Sequence, residues 1–246
     1  MKESILEDLE CFKDKEFKFE PGLHKYTHNG DEMVSVTTFI QQFHKKFDKQ
    51  YWSLRKAHEQ NVPQKWIINE WQKLNDYANE IGTDTHNWIE DYFKGNWNKL
   101  PTNLDVINRI NKFNIVYAEN LYKLEPLKFE LKVFSKKWKL AGTIDSLFMY
   151  RGKLVIVDWK TNKKFDTDET LKYKERLFPP FHDFNKSHLS EYSIQISLYS
   201  LILKEWGFNV SAGYLVHIGP GDEPAKIYKC INMVGILEEY LNGSQY

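Results

Sequence analysis

Leu154-Val155-Ile156-Val157-Asp158-Trp159-Lys160 is the stretch on which the fold of this sequence turns. Its first four residues are apolar and three of them are β-branched, which marks a strand covered on both faces at the centre of a sheet. The run then ends in an acid and a base. Side chains two apart on a strand share a face, so Asp158 and Lys160 point into the same space. Charges at the end of a buried strand lose solvation, and that loss must be offset by pairing or by a metal. Spacing alone favours a strand-end salt bridge, because acid-x-lysine also occurs at Glu16-Phe17-Lys18 and Glu130-Leu131-Lys132.

The neighbouring runs raise the alternative. KFELKVFSK (128–136) and KLAGTIDSLFMY (139–150) are β-rich, and Arg151-Gly152 makes a tight link into the strand above, so the three predict an antiparallel meander. Turning at Arg151 brings Asp145 of Gly142-Thr143-Ile144-Asp145 towards Asp158, so two carboxylates converge beside one lysine. Uncompensated, one of them would stay protonated. A hard divalent cation that takes oxygen ligands, Mg²⁺ or Mn²⁺, is the natural filling. Glu130, on the first strand, could supply a further carboxylate or sit in a surface pair with a lysine.

Outward from this centre, FKFEPGLHKYTHNGDEMVSV (17–36) predicts a β-hairpin of 25–27 against 32–34, turning at Asn29-Gly30. Ser35 and Thr37 offer N-caps for a helix to about Phe43, and helical periodicity follows at 49–60, 64–80, 83–94 and 103–121. Beyond the meander, 161–190 is polar and irregular, with Pro179-Pro180 arguing for a surface insertion. A helix over 191–206, strands in NVSAGYLVHI (209–218) and AKIYKCI (225–231) and a helix at 233–242 complete the order. With no repeat and no Gly/Ser/Pro-rich linker, residues 1–246 are expected to form a single domain, with a hairpin and helical part (1–125) and a sheet core (126–246).

Composition excludes several classes. Lys plus Arg and Asp plus Glu both total 34, so a partner of high negative charge must be met by a local basic face rather than by net charge. Lys136, Lys137 and Lys139 around Trp138, and Lys163 and Lys164 after Lys160, are the candidates for phosphate contact, with Trp88, Trp138 and Trp159 as stacking candidates. Two cysteines, Cys11 and Cys230, cannot build a disulfide framework, a four-cysteine zinc site or a cluster held by four cysteines. An acidic start, no apolar run of 18 residues and few cysteines predict an intracellular setting and no membrane partner. No G-x-x-x-x-G-K-[ST] loop for ATP and no G-x-S-x-G elbow occur. His24 and His28 lack the intervening Glu of a zincin and are expected at the surface.

Asp145, thirteen positions before Asp158-Trp159-Lys160 across a hairpin, resembles the signature of the PD-(D/E)XK nuclease superfamily, with Ile144 where a Pro is usual. Gln195-Ile196-Ser197-Leu198-Tyr199 is similar to the Q-x-x-x-Y motif of its RecB-like exonuclease branch, and Gly82-Thr83-Asp84-Thr85-His86 to the segment that supplies that branch's metal-binding histidine. The hairpin and Ser35-Val36-Thr37-Thr38 resemble phage-type and mitochondrial-genome-maintenance-type members. The resemblance implies an α/β (α+β) restriction-endonuclease-like core, a mixed central sheet flanked by helices, with the N-terminal hairpin and helical region beside it. It implies a metal-dependent DNA exonuclease acting on single strands or free ends, using Mg²⁺ or Mn²⁺ without an iron-sulfur cluster or ATP. His86, Asp145, Asp158 and the Trp159 backbone carbonyl would hold the cation, with Glu130 as the further carboxylate. Lys160 would orient the attacking water, and Gln195 and Tyr199 would steady that lysine or the strand being cut. The competing expectation is a nuclease-fold protein that binds nucleic acid, or assists packaging, without cutting. Against it, both acids and the lysine are all present, whereas degenerate members usually lose one.

Overall fold

The computed structural model describes residues 2–23, 25–96 and 100–243. In chain order these form α1 (Lys2–Asp8), β1 (Phe17–Glu20), β2 (Lys25–His28), β3 (Asp31–Ser35), α2 (Val36–Ile40), α3 (Lys49–Gln60), α4 (Gln64–Lys94), α5 (Leu104–Val116), β4 (Glu125–Ser135), β5 (Leu140–Tyr150), β6 (Lys153–Lys160), α6 (His188–Glu205), β7 (Val210–His217), β8 (Lys226–Lys229) and α7 (Val234–Gly243). One mixed sheet runs β1-β2-β3-β5-β6-β7-β8, with β4 on the free edge of β5. The expected mixed sheet flanked by helices, with its N-terminal hairpin, is present.

Two turns set the antiparallel pairs. Asn29 and Gly30 have φ of 53° and 84°, and Arg151 and Gly152 have 49° and 75°. Both central residues in the left-handed region give the two-residue turn whose twist matches the flanking strands. After β3, the Ser35 hydroxyl accepts from the Thr38 N–H and caps α2.

Alternation along β6 divides the core. Leu154 and Ile156 join the cluster under α6 and α7, whereas Val155, Val157 and Trp159 join Ile81, Ile89 and Phe113 of α4 and α5 on the opposite face. A strand sandwiched in this way must be apolar throughout, which is why LVIV carries no polar residue. At its end the α6 side receives Asp158 and Lys160 in place of another aliphatic pair.

Two expectations are corrected. The predicted helices 64–80 and 83–94 are one continuous α4 of 31 residues. Gly82 does not break it: a Cβ there would stand 3.0 Å from Thr161 Oγ1, so the glycine allows close approach of the chain that leaves β6. The 161–190 segment is irregular as expected but is not simply superficial. Leu177 and Phe181 are buried, Phe181 packs edge-on against Phe43 at 4.8 Å, and the Phe178 N–H donates to the Phe43 carbonyl at 2.7 Å. Apolar anchors in an otherwise polar loop carry no periodic signal.

Candidate active site

The site is built on a fork in the sheet. One edge of β5 is paired with β4 along most of its length; the other is shared by two strands. β3 takes Leu140 and Ala141, and β6 takes Ser146 to Tyr150. Between them Gly142-Thr143-Ile144-Asp145 has no strand partner on that edge among the described residues. Beyond the Ser146–Val157 pair the Trp159 N–H finds no β5 carbonyl and donates instead to Asp145 Oδ2 at 3.0 Å. A residue's C=O leaves a strand on the same side as its N–H, so the Trp159 carbonyl also faces this fork.

Three ligand-bearing side chains meet there. His86 of α4, Glu130 of β4 and Asp145 of β5 each offer an atom within 4.8 Å of the others, all partly exposed. His86 Nδ1 lies 3.5 Å from Asp145 Oδ2. Glu130 stands across the ladder from Asp145, between the Phe129–Ser146 and Leu131–Ile144 pairs, and adopts φ 47°. A left-handed backbone is costly for a residue with a Cβ and persists where the surroundings enforce it, commonly at functional sites. Burial first, then the nearby Asp145 charge, pushes the Glu130 carboxyl up to about 7.

Asp158 and Lys160 form the adjoining layer on the α6 side. Lys160 Nζ lies 2.7 Å from Asp158 Oδ2, and Asp158 is buried. Burial, reinforced by Asp145, pushes the Asp158 carboxyl up to about 6, with Lys160 opposing. For Lys160 burial favours the neutral amine, but Asp158 and Asp145 outweigh it and its pKa is raised, so the ammonium is kept. Lys160 Nζ donates to Gln195 Oε1 at 3.2 Å, and Gln195 Nε2 donates to the Tyr199 hydroxyl at 3.3 Å. The Tyr192 ring centre lies 4.0 Å from the ammonium, close enough for a cation–π contact. Tyr199 reaches this position only because Gly142 is bare: a Cβ there would stand 2.7 Å from the tyrosine ring.

The donor set suits a hard divalent cation. One imidazole with carboxylates is oxygen-rich, and Asp158 Oδ2 is buried and, apart from the lysine ion pair, without a hydrogen bond of regular geometry. His86, Glu130 and Asp145 would hold such an ion, with the Trp159 carbonyl turned to the same fork and Asp158 Oδ2 held by Lys160.

A family model of the PD-(D/E)XK nuclease superfamily matches residues 38–223, a span that takes in every side chain of this site. The chain belongs to that superfamily. That superfamily is one of nucleases. No curated protein matches the chain. Among solved structures, the crystal structure of SSO0001 aligns at 16% identity with a TM-score of 0.25, over 58% of this chain and 60% of that one.

For this PD-(D/E)XK chain the sequence-predicted residues divide sharply. His86, Glu130, Asp145, Asp158, Lys160, Gln195 and Tyr199 are brought together, with Glu130 inside the three-ligand group and Asp158 turned to Lys160. Lys163 and Lys164 are exposed three and four residues beyond Lys160. Lys136, Lys137, Lys139 and Trp138 do not flank the site. They occupy the β4–β5 turn, where the Lys137 N–H meets Glu205 at the last residue of α6, about 15 Å along the helix from Gln195. Their charges are engaged there, Lys136 with Asp14 at 3.1 Å, Lys139 with Asp31 at 3.7 Å and Lys137 with Asn242 at 2.8 Å. Trp88 and Trp159 are buried, and the Trp159 indole donates to Ser146 Oγ at 2.7 Å, so neither ring is open for stacking. His24 lies outside the described residues, and His28 is a half-buried partner of Asp14 at 3.2 Å rather than a surface residue. Tyr192 was missed, although its spacing to Gln195 and Tyr199 is that of one helix face.

Proposed function

We propose that this protein is a metal-dependent DNA exonuclease of the RecB-like kind, acting on single strands or free ends, and that residues 1–246 work as one nuclease domain. The observation that carries the reading is the meeting of His86, Glu130 and Asp145 in the fork, one residue layer from a lysine held by Asp158. When bound, a divalent cation would lower the pKa of a coordinated water and offset charge on the phosphorane-like transition state.

The chain's own residues do the rest. Gln195, backed by Tyr199, and Asp158 take two of the three N–H bonds of the Lys160 ammonium, and the third would meet the attacking water. Asp158 keeps the lysine charged. In-line attack by water forms one P–O bond and breaks the bond to the 3′ oxygen, which leaves protonated while the phosphate stays on the 5′ side.

Digestion of end-labelled single- and double-stranded DNA with Mg²⁺, Mn²⁺ or EDTA tests the reading. Release of mononucleotides or short 5′-phosphorylated products with metal alone is expected; equal degradation in EDTA would overturn it.

A further inference from the structure

A cleft of about 440 Å³ opens beside the candidate active site, between the end of α2 with its following turn and α6. His44, Lys46 and Phe47 line one wall, and Glu191, Tyr192 and Gln195 line the other, with Glu191 3.9 Å from His44. Tyr192 and Gln195 also touch the Lys160 ammonium, so the cleft is continuous with the point of reaction.

Its outer rim is aromatic and basic. Phe47 is 67% exposed, with its ring centre 5.9 Å from that of Trp71 on α4. Further out, Tyr51, Trp52 and Trp66 on α3 and the start of α4 are 56%, 43% and 50% exposed. From His44 to Lys73 there are seven lysines and arginines against three acids, a surplus of four positive charges in a chain whose net charge is zero.

Exposed flat rings interleaved with cations suit one class of occupant. Unpaired nucleic acid offers both a phosphate chain and open base faces, whereas a duplex hides the faces. A docking protein fits less well, because the buried centres of protein interfaces are depleted of lysine. We infer that the cleft seats the nucleotide adjoining the phosphate to be cut, its base on Phe47 and its phosphate by Lys46, with the unpaired strand continuing over Tyr51 and Trp52. This rests on the nuclease reading of the neighbouring site.

The test is fluorescence anisotropy in EDTA with a labelled single-stranded oligonucleotide and its duplex, on wild type, Phe47→Ala and Lys46→Ala, with Tyr122→Ala as an exposed-aromatic control. Phe47→Ala should weaken single-strand binding about tenfold, the scale of one lost base stack, and duplex binding by less than about twofold. Lys46→Ala should reduce the slope of log affinity against log salt by about 0.7, one phosphate contact on a single strand. Unchanged single-strand binding in both variants, with wild type binding and cutting normally, would remove the subsite and leave the nuclease standing. Equal losses on single strand and duplex would overturn the unpaired occupant. Wild type that neither binds nor cuts nucleic acid would remove the nuclease reading and the subsite together.

Discussion

The Trp159 N–H donates to Asp145 Oδ2 at 3.0 Å, so the first acid of the site is tied to the strand that carries the second. The bond stands in for the main-chain pairing that ends where β5 and β6 part, and a single carboxylate therefore closes the fork and faces His86 at 3.5 Å.

Those two duties of Asp145 can be separated. Asp145→Asn keeps an acceptor for Trp159 and removes the charge, so its melting temperature should stay near wild type while calorimetric Mn²⁺ binding is lost. Asp145→Ala leaves a partly buried N–H unsatisfied and should destabilise by about 1–3 kcal/mol as well. Denaturant unfolding of the two variants checks this; equal stability of Asn and Ala would mean that the tie does not hold the fork.

Glu130 and Asp158 should cost the metal-free protein stability as pH rises. Glu130 and Asp158 have carboxyls raised to about 7 and about 6, burial being the larger cause in each and Asp145 the next. Between about pH 4 and pH 7 these two carboxyls bind more protons in the folded state than in the unfolded chain, and their linkage contribution is negative. This contribution is fully present below the unfolded values and is lost as pH climbs through the folded ones. Melting in EDTA across about pH 4.5 to 8 should show wild type declining relative to Glu130→Gln, and Mg²⁺ should restore wild type most at the higher pH. A wild-type advantage that grows with pH in EDTA would contradict the assignment.

In the proposed enzyme Lys160 would act as a catalyst rather than a ligand; it is pinned by Asp158 at 2.7 Å and Gln195 at 3.2 Å. Lys160→Ala should cut turnover by about 10² or more while Mn²⁺ affinity stays close to wild type, the signature of a lost preorganised electrostatic contribution. Collapse of Mn²⁺ affinity in that variant would make the lysine a structural counter-charge.

The meander and its acids were legible because a doubly covered strand has to be apolar until it ends, so Asp158 and Lys160 stand out after LVIV. Other features depend on what lies across the fold. Gly82 read as a helix boundary because glycine is a poor helix former, and only Thr161, 3.0 Å from its absent Cβ, explains it inside α4. Glu130 could not be divided between surface pair and ligand, since that choice rests on its φ of 47° and on Asp145 across the ladder. The Lys136–Lys139 cluster looked like a phosphate face because clustering in sequence does not say to which end of a strand a turn belongs. Tyr192 shares the helix face of Gln195 and Tyr199, but only the packing of α6 against the sheet shows that this face lies on Lys160.

Gly142 supplies a test of positioning apart from ligation. Its bare Cα admits the Tyr199 ring, whose hydroxyl steadies Gln195 and through it Lys160. Gly142→Ala places a Cβ 2.7 Å from the ring and must displace it, so turnover should fall about tenfold or more and stability by about 1–3 kcal/mol, as for overpacking. Mn²⁺ binding, which uses the opposite end of the GTID segment, should survive. Pairing with Tyr199→Phe checks the route: if the two effects add in full, the glycine does not act through the tyrosine.

Whether the protein needs a free end can be tested with topology alone. His86 sits on α4, whose C-terminal half packs on the sheet through Ile81, Trp88 and Ile89. Towards its N-terminus residues 72–80 are all exposed, a shaft without core packing that leads out to α3 and its aromatic surface. The irregular 161–187 segment is joined to the Phe43–Lys45 stretch through the Phe43 carbonyl and the Lys186–Lys45 hydrogen bond at 3.3 Å, and a threaded strand from the Phe47 cleft would reach His86 and Asp145 between this segment and the shaft. A passage bounded on both sides admits an end more readily than an internal loop, and unpaired bases more readily than a duplex. Covalently closed single-stranded circles should therefore outlast linear strands of the same sequence under identical Mg²⁺, by at least about tenfold in initial rate. Rapid cutting of circles would make the enzyme an endonuclease with an open groove, and Gly82→Ala separates the two cases further. If the strand threads past Gly82, a Cβ pressed against Thr161 would narrow its path, so linear-strand turnover should drop while hydrolysis of a small phosphodiester, which needs no threading, is affected less.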